Sequence, residues 1–324
     1  MRFEDLDVSF LKIQNLAVKF HSGYRSFFRR LSFYAVRNIS VNINRKETFC
    51  LIGESGSGKT TLVWAILGLH PFQEGRIVFD GQTISQSNDP VHQKLKRSAQ
   101  IVFQDPAASL SPFLTLGQSI EEPLRARGAG KKDRAAIVES LATKTGLSYE
   151  LLQRRPSEVS GGQNQRACIA RALSIRPDIL FLDEPLTALD VIVQKQVAKL
   201  LCEMKRNYDL TYYLITHDLS LVKEIGTTVA VMYSGRIVEK APKEMFFSNP
   251  CHPYSQALLS SVLKPGIWKG KRIVLKGEVP SPLNPPSGCL FHPRCFRKLP
   301  VCEKIAPESK TVVAGHEVFC HLFN

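Results

Sequence analysis

A glycine-rich run at residues 53–61, GESGSGKTT, fits the phosphate-binding pattern G-x-x-x-x-G-K-[ST], with a strand expected before it and a helix after it. Its glycines let the backbone curl so that N–H groups point at phosphate oxygens. In this pattern the lysine reaches the β- and γ-phosphates, and the next hydroxyl ligates Mg²⁺. We therefore predict an Mg-ATP site, with Thr60 as a magnesium ligand. Its expected members are Gly53, Ser55, Gly56, Ser57, Gly58, Lys59, Thr60 and Thr61.

The sequence ILFLDE at 179–184 has four apolar residues followed by two acids, which predicts a buried strand with carboxylates at its end. Asp183 is placed to hold Mg²⁺ through water. Glu184 is placed to orient or deprotonate the water that attacks the γ-phosphate. Because this motif follows a phosphate-binding loop in the same chain, we predict that the chain hydrolyses its nucleotide.

A second predicted anion site lies at VSGGQNQR, residues 159–166, where a helix begins. Ser160, Gly161, Gly162 and Gln163 would place a hydroxyl and bare N–H groups at the helix N-terminus, a position that favours anions. A chain with one phosphate-binding loop has little use for a second phosphate site. We therefore expect two chains to meet head-to-tail, each covering the partner's γ-phosphate. The alternative is a glycine-capped helix start without a ligand.

Together these motifs resemble those of the ABC-type ATPases, for which VSGGQNQR is the signature. The resemblance implies that Gln104, in VFQDP, is the Q-loop glutamine, which touches Mg²⁺ and water. It implies that Asp190, in TALD, contacts the opposite subunit, and that His217, in ITHD, senses the γ-phosphate. Tyr34 matches the aromatic residue that stacks on adenine. Since Phe33 is adjacent, a core role for this aromatic pair remains open.

Residues 103–124, 252–259 and 277–295 further resemble one branch, the oligopeptide, dipeptide and nickel importers. Members of that branch work as two ATPase subunits beneath two membrane permeases, fed by an external binding protein. The resemblance implies a peripheral motor at the cytoplasmic face of the plasma (inner) membrane, paired with a paralogous ATPase. Peptides are the expected cargo, with nickel and oligosaccharides as alternatives. The expected catalytic residues are Glu184, His217 and Gln104.

Four of the eight cysteines crowd into the last 36 positions, in a proline-rich tail with few apolar residues. They are Cys289, Cys295, Cys302 and Cys320. Thiols in such a tail predict a metal that holds the segment together. The resemblance to the importer branch implies a [4Fe-4S] cluster, while a zinc site that recruits His292 or His316, or free thiols, remain open. Because the tail lies far in sequence from the ATP residues, we expect its role to be structural.

The elements that must position these residues alternate between strands and helices, which predicts an α/β fold with a mostly parallel sheet. The resemblance implies a RecA-like core, an antiparallel β subdomain and a helical subdomain at about 105–165. We predict an ABC ATPase domain at 1–245 and a C-terminal extension at 246–324. The basic, aromatic segment 21–33 is expected to be a loop. Strands are predicted at 11–20, 34–43, 48–53, 175–185 and 210–218.

The composition of the 324-residue chain is that of a globular protein, with 44% hydrophobic and 22% charged residues. No apolar run approaches the roughly 20 residues that span a bilayer, and no signal peptide is expected. The net charge of +14 permits attraction to nucleic acid or to anionic lipid. A soluble ABC ATPase acting on nucleic acid is nevertheless disfavoured, because the chain has no long heptad arm and no second cassette. The tail beginning HPYSQALL argues against an exporter.

Overall fold

The computed structural model describes residues 9–26, 29–84, 89–262 and 271–323. None of the helices in these ranges is long and apolar enough to cross a membrane. The strands are β1 (Leu11–Ser26), β2 (Arg29–Ile43), β3 (Thr48–Ile52), β4 (Glu74–Phe79), β5 (Gln82–Ile84), β6 (Ala99–Val102), β7 (Ile179–Asp183), β8 (Thr211–Ile215), β9 (Thr228–Tyr233), β10 (Arg236–Pro242), β11 (Lys310–Val313) and β12 (His316–Val318). The helices are α1 (Lys59–Ile66), α2 (Pro90–Ser98), α3 (Pro106–Ser109), α4 (Leu116–Ala126), α5 (Lys131–Thr145), α6 (Tyr149–Leu152), α7 (Gly161–Leu173), α8 (Val191–Tyr208), α9 (Leu219–Ile225), α10 (Lys243–Ser248) and α11 (Pro253–Ser260).

The chain divides into two compact units. One comprises Met1–Gln93 and Ile215–Asn324, and the other comprises Lys94–Leu214. The two units do not correspond to the predicted domains, because residues on both sides of the predicted boundary at 245 and 246 belong to the first unit. The predicted boundary therefore stays a prediction.

The first unit contains an antiparallel sheet with the strand order β2-β1-β4-β5, as expected for an antiparallel β subdomain. Within the same unit, the order β11-β12-β10-β9-β3 contains a parallel pair, β3 with β9, and antiparallel pairs elsewhere. Strand β3 is buried along its whole length because its sequence, TFCLI, is apolar. It leads directly into the glycine-rich loop 53–61.

The prediction of a loop at 21–33 is wrong. Strands β1 and β2 continue through this segment, and their backbones pair from His21 opposite Ser32 to Ser26 opposite Arg29. Residues 27 and 28 lie outside the described residues. Register shifts interrupt the pairing on either side of Tyr24, and such bulges break the two-residue period by which a strand is recognised in a sequence.

The second unit is organised around α7, which packs against α3, α4 and α5. Long side chains of α7 secure this packing: Arg171 donates to the Ser109 carbonyl at 2.7 Å, and Arg166 donates to the Thr145 carbonyl at 2.8 Å. Helices α3 to α6 occupy the segment 105–165, for which helical structure was expected. The strands of this unit have the order β8-β7-β6, with β6 and β7 parallel. The α/β fold class is thus confirmed.

A fully buried carboxylate on β10 connects three parts of the first unit, and we call these contacts the Glu239 clasp. Glu239 Oε1 accepts from Cys251 N and pairs with His316 Nε2, both at 2.8 Å, while Oε2 accepts from His252 N at 2.8 Å. Burial lowers the pKa of His252 to about 4, so its imidazole is neutral at pH 7. A buried carboxylate is tolerated when its oxygens are hydrogen-bonded. The clasp therefore ties the segments around residues 251 and 316 to the sheet.

We predict that Glu239→Gln lowers the free energy of unfolding by about 1–3 kcal/mol, because its amide NH₂ would face a buried backbone N–H group. Glu317→Gln is the matched control, since Glu317 pairs with Lys240 at 2.8 Å on the same strands but is partly exposed. We expect that control to cost less than about 1 kcal/mol. Urea midpoints measured at an unchanged m-value provide the comparison. Equal midpoint shifts in the two variants would contradict the importance of the clasp.

Candidate active site

The glycine-rich loop 53–61 curls tightly between β3 and α1. Gly58 precedes the helix with φ of 102°, and a Cβ atom there would lie 2.2 Å from the Ala35 carbonyl oxygen. Only glycine fits this position, because both its conformation and the space around it exclude a side chain. Gly56 also has a positive φ, 78°, but faces open space. The backbone of the loop is therefore tightly curled, as the sequence motif predicts.

Lys59 begins α1 and is almost fully buried, with 5% of its surface exposed. Its Nζ donates to the carbonyl oxygens of Gly53 and Glu54, both at 2.9 Å. The ammonium group is thereby held within the curl of the loop. Ser57 is buried as well, and its Oγ has no hydrogen-bond partner among the described residues. Among the other predicted members, Gly53 is buried, Ser55 and Gly56 are exposed, and Thr60 and Thr61 are half-buried on the first turn of α1.

His217 is exposed in the short connection between β8 and α9. The residues on both sides of it fix this connection. Asp218 N donates to Thr216 Oγ1 at 3.0 Å, and the Asp218 carboxylate caps α9 by accepting from Ser220 N at 2.8 Å. The histidine is thus presented to solvent from a rigid turn.

Tyr34 is half-buried on β2, and its hydroxyl donates to Glu74 Oε1 at 2.9 Å. That hydrogen bond raises the pKa of Tyr34. Lys19 Nζ and Arg37 Cζ lie 5.5 and 5.8 Å from the centre of its ring. Phe33, in contrast, stacks on a second phenylalanine of the hairpin, with ring centroids 5.8 Å apart. Tyr34 thus has polar and cationic neighbours, whereas Phe33 has an aromatic one, and the predicted stacking of Tyr34 on adenine stays a prediction.

In the second unit, β7 ends at the buried Asp183, and Glu184 follows. Glu184 has φ of 48°, in the left-handed region, which costs a non-glycine residue about 1–2 kcal/mol. Its Oε2 accepts a hydrogen bond from Thr187 Oγ1 at 2.9 Å. Strained backbone of this kind is found at functional sites, where the surrounding structure maintains it. The side chain is therefore held in one orientation at the end of the strand.

Ser160 is the N-cap of α7 and forms a reciprocal capping box with Gln163. Ser160 Oγ accepts from Gln163 N at 3.3 Å, and Gln163 Oε1 accepts from Ser160 N at 2.9 Å. Ser160 is exposed, and a hydroxyl that accepts a hydrogen bond still has its own proton to donate. Gly162 packs closely on α8, because a Cβ atom there would lie 2.5 Å from Val193 Cγ1. The segment is a capped helix start whose outer surface is accessible to an anion.

Asp190 caps α8 by accepting from the backbone N–H groups of Ile192 and Val193 at 3.1 and 3.0 Å. The next two residues are apolar and exposed, Val191 to 66% and Ile192 to 72%. Gln104 is also exposed, two residues after the end of β6. Its predicted contacts with Mg²⁺ and water, and the predicted contact of Asp190 with a second subunit, stay predictions.

Residues 36–187 match the family described as "ABC transporter", and residues 238–302 match the one described as "Oligopeptide/dipeptide transporter, C-terminal region". The oligopeptide transport ATP-binding protein AppF of Bacillus subtilis is 44% identical over 295 residues, which cover 90% of each chain. The chain belongs to the ABC transporter ATP-binding proteins.

Other comparisons agree with this assignment. The dipeptide transport ATP-binding protein DppF of Escherichia coli is 44% identical over 290 residues, 88% of this chain and 86% of that protein. Among solved structures, a dimeric post-hydrolysis state of the ATP-binding cassette MJ0796, bound to ADP and Pi, has a TM-score of 0.64 at 28% identity. The structural match covers 72% of this chain and 98% of that cassette. The activity of this chain is accordingly ATP hydrolysis.

In this ABC ATPase the structure also reveals functional-site contacts that the sequence motifs did not indicate. Glu54 occupies an unspecified position of the loop pattern, yet its carboxylate forms a two-pronged ion pair with Arg294 at 2.8 and 3.2 Å. Its backbone N donates to the Tyr254 hydroxyl at 2.9 Å. The cysteine-containing tail therefore lies against the glycine-rich loop, although distance in sequence suggested that it was remote from the ATP residues.

The four tail cysteines of the ABC ATPase converge as free thiols. Cys302 and Cys320 are buried, and Cys289 and Cys295 are half-buried. Burial raises the pKa of Cys320 to about 11, and the neighbouring thiols of Cys289, Cys295 and Cys302 raise it further. Cys289 N donates to the Cys302 carbonyl at 2.8 Å, which joins the two ends of the tail loop. Among the described residues, no three of these sulfurs lie within 4.8 Å of each other.

Proposed function

We propose that this ABC ATPase is the motor subunit of a membrane-bound importer of di- or oligopeptides. The observation that carries the proposal is the presence, in one chain, of the ABC transporter match and the oligopeptide/dipeptide C-terminal match. The relatives support it, since they include proteins named for oligopeptide and dipeptide transport. Nickel and oligosaccharides are the other cargoes to test.

The glycine-rich loop supports the proposed nucleotide role. Its tight backbone leaves no room for a Cβ atom at Gly58, and Lys59 holds a positive charge within the curl. The buried Ser57 hydroxyl lacks a partner among the described residues, and a phosphate oxygen is an acceptor that would satisfy it. When bound, Mg²⁺ neutralises charge on the phosphates and the leaving oxygen. The residues that we propose for it are Thr60 and Gln104 as ligands and Asp183 through water.

We propose that Glu184 orients or deprotonates the attacking water, and that His217 and Gln104 respond to the γ-phosphate. The hydrogen bond from Thr187 supports this role for Glu184, because it fixes the carboxylate in one orientation. Tyr34 is proposed to stack on the adenine. Hydrolysis would remove the γ-phosphate that holds two subunits together, so that the subunits separate.

A second ATPase subunit is proposed to bind head-to-tail, with Ser160, Gly161, Gly162 and Gln163 of one chain covering the γ-phosphate of the other. The exposed apolar pair Val191 and Ile192 beside Asp190 supports such an interface, because apolar side chains at this site would be buried by a partner. We expect the partner to be a paralogue.

A surface groove on α4 is the proposed docking site for a permease. The nearby Phe113 is 83% exposed, which is unusual for so large an apolar side chain. The groove lining is mixed, with apolar and charged residues: Leu114, Gln118, Glu122, Arg125 and Ala126. Two permeases and an external binding protein would complete the importer. The chain would then lie at the cytoplasmic face of the plasma (inner) membrane, without nucleic acid as a partner.

We further propose that the tail cysteines hold a [4Fe-4S] cluster. Four converging thiols are the ligand set that such clusters use. Zinc held tetrahedrally by the four thiolates is the alternative. The alternative zinc ligands are already engaged: His316 Nε2 pairs with Glu239, and His292 Nδ1 lies 3.0 Å from the Cys289 carbonyl oxygen.

Glu184→Gln should reduce ATP turnover by roughly 10²–10⁴-fold, the usual contribution of a positioned proton acceptor. The variant should still bind Mg-ATP and should accumulate ATP-dependent dimers, which size-exclusion chromatography with light scattering would detect. Thr187→Val, which removes the hydrogen-bond donor, should lower turnover by a smaller factor. Turnover in Glu184→Gln near that of the wild type would show that another group activates the water.

A tagged pull-down from gently solubilised native membranes tests the importer, with every co-purifying chain identified by mass spectrometry. We expect two multi-span permeases and a second ATPase of different sequence. The associated binding protein would then be assayed with peptides, Ni²⁺ and oligosaccharides. Recovery of ribosomal or DNA-associated proteins without permeases would leave the ATPase assignment intact and overturn import.

Anaerobically purified protein should be brown and contain about four iron atoms per chain, the content of one [4Fe-4S] cluster. Cys295→Ser should lower the iron content, whereas Cys202→Ser, outside the tail, should leave it unchanged. Iron and zinc are measured together by mass spectrometry of the metals. Colourless protein with stoichiometric zinc would overturn the cluster proposal.

A further inference from the structure

Glu54 of the glycine-rich loop forms hydrogen bonds both with other loop residues and with the C-terminal segment. The Glu54 carbonyl accepts from Lys59 Nζ at 2.9 Å and from Ser57 N at 3.2 Å, both within the loop. The Glu54 N–H and carboxylate are bound instead by Tyr254 and Arg294, which lie 200 and 240 residues further along the chain. The backbone of the loop is therefore fixed jointly by its own lysine and by the C-terminal segment.

Aromatic packing positions the two residues that contact Glu54, Tyr254 and Arg294. Tyr254 is fully buried on α11, and its ring packs edge-on against Tyr233 with centroids 4.8 Å apart. The buried Phe291 ring lies 5.2 Å from Tyr233 and 5.3 Å from Tyr254. Phe291 precedes the short 3₁₀ turn His292–Arg294, which this aromatic packing holds in place. Arg294 thus contacts Glu54 from a turn that is anchored by the packing of Phe291.

The charge of Glu54 gives this contact a consequence for ligand binding. A carboxylate on a phosphate-binding loop repels the negative charge of a nucleotide. Arg294 neutralises that carboxylate in a partly desolvated pair, in which the side chains are 10% and 29% exposed. Two guanidinium nitrogens donate to the two carboxylate oxygens at 2.8 and 3.2 Å, so the ion pair engages both oxygens of Glu54.

We propose that Arg294 and Tyr254 are positioning residues for nucleotide binding: they neutralise Glu54 and fix the loop backbone, so that the C-terminal tail forms part of the ATP-binding apparatus. The inference rests on the proposed nucleotide role of loop 53–61. The tail would thus contribute to nucleotide binding, although it lies far from the loop in sequence. Loss of the tail contact would leave an unpaired carboxylate on the loop.

Binding of Mg-ADP and of a fluorescent ATP analogue to the full-length chain tests this inference. Arg294→Gln should raise the Kd on the order of tenfold, the effect of one uncompensated charge near the ligand. At saturating ATP, turnover should stay close to that of the wild type, so that KM rises while kcat does not change. The double variant Glu54→Gln with Arg294→Gln should regain most of the lost affinity, because the repelling carboxylate is gone.

Lys298→Gln is the matched control, since it removes the same charge from the same segment. Lys298 pairs with Glu303 at 2.8 Å on the exposed side of the tail, and its loss should leave the Kd unchanged. Thermal unfolding by circular dichroism identifies any variant that fails to fold, in which case Tyr254→Phe replaces it, with an expected rise in Kd of roughly threefold.

The outcomes separate this inference from the proposed function. Wild-type affinity in Arg294→Gln, or no recovery in the double variant, would overturn the role of the tail contact. Failure of the wild-type chain to bind nucleotide, or unchanged binding in Lys59→Ala, would instead overturn the nucleotide role of the loop itself.

Discussion

A phosphate-binding loop must bring several backbone N–H groups and one ammonium group into a small volume, and this requirement shapes much of the first unit. The backbone can curl so tightly only where Cβ atoms are absent, and at Gly58 the neighbouring Ala35 carbonyl oxygen would collide with one. The loop also contains a carboxylate, Glu54, that works against anion binding. Arg294 pairs with this carboxylate, and the aromatic packing of Phe291 on Tyr233 and Tyr254 positions the turn that carries Arg294.

The C-terminal segment is consequently integrated with the rest of the first unit through polar contacts as well as through packing. The Glu239 clasp secures the segments near residues 251 and 316, and the pairing of β12 with β10 extends the sheet. Tyr254 and Arg294 extend this framework to the loop. A metal at the cysteines would brace the loop that carries Arg294, since Cys289 and Cys295 flank it. The glycine-rich loop and the C-terminal tail are thus connected by one continuous set of contacts.

The sequence motifs anticipated the features that depend on local spacing. Positive φ values at Gly56 and Gly58, the cap at Ser160 and the buried strand before Glu184 each follow from residues a few positions apart. The Glu54–Arg294 pair could not be predicted, because neither residue belongs to a recognisable pattern and their meeting depends on the whole fold. The same holds for Glu239, a charged residue inside a buried strand. The hairpin at 21–33 was missed because bulges disrupt its alternation.

The left-handed backbone at Glu184 has a consequence for engineering. Glycine and asparagine adopt this conformation with less strain than glutamate, so replacing Glu184 by either one should relax the turn after β7. The same replacement would delete the carboxylate proposed to activate water. If Glu184 has the proposed role, stability and turnover are opposed at this position, and a more stable ATPase requires substitutions at other positions.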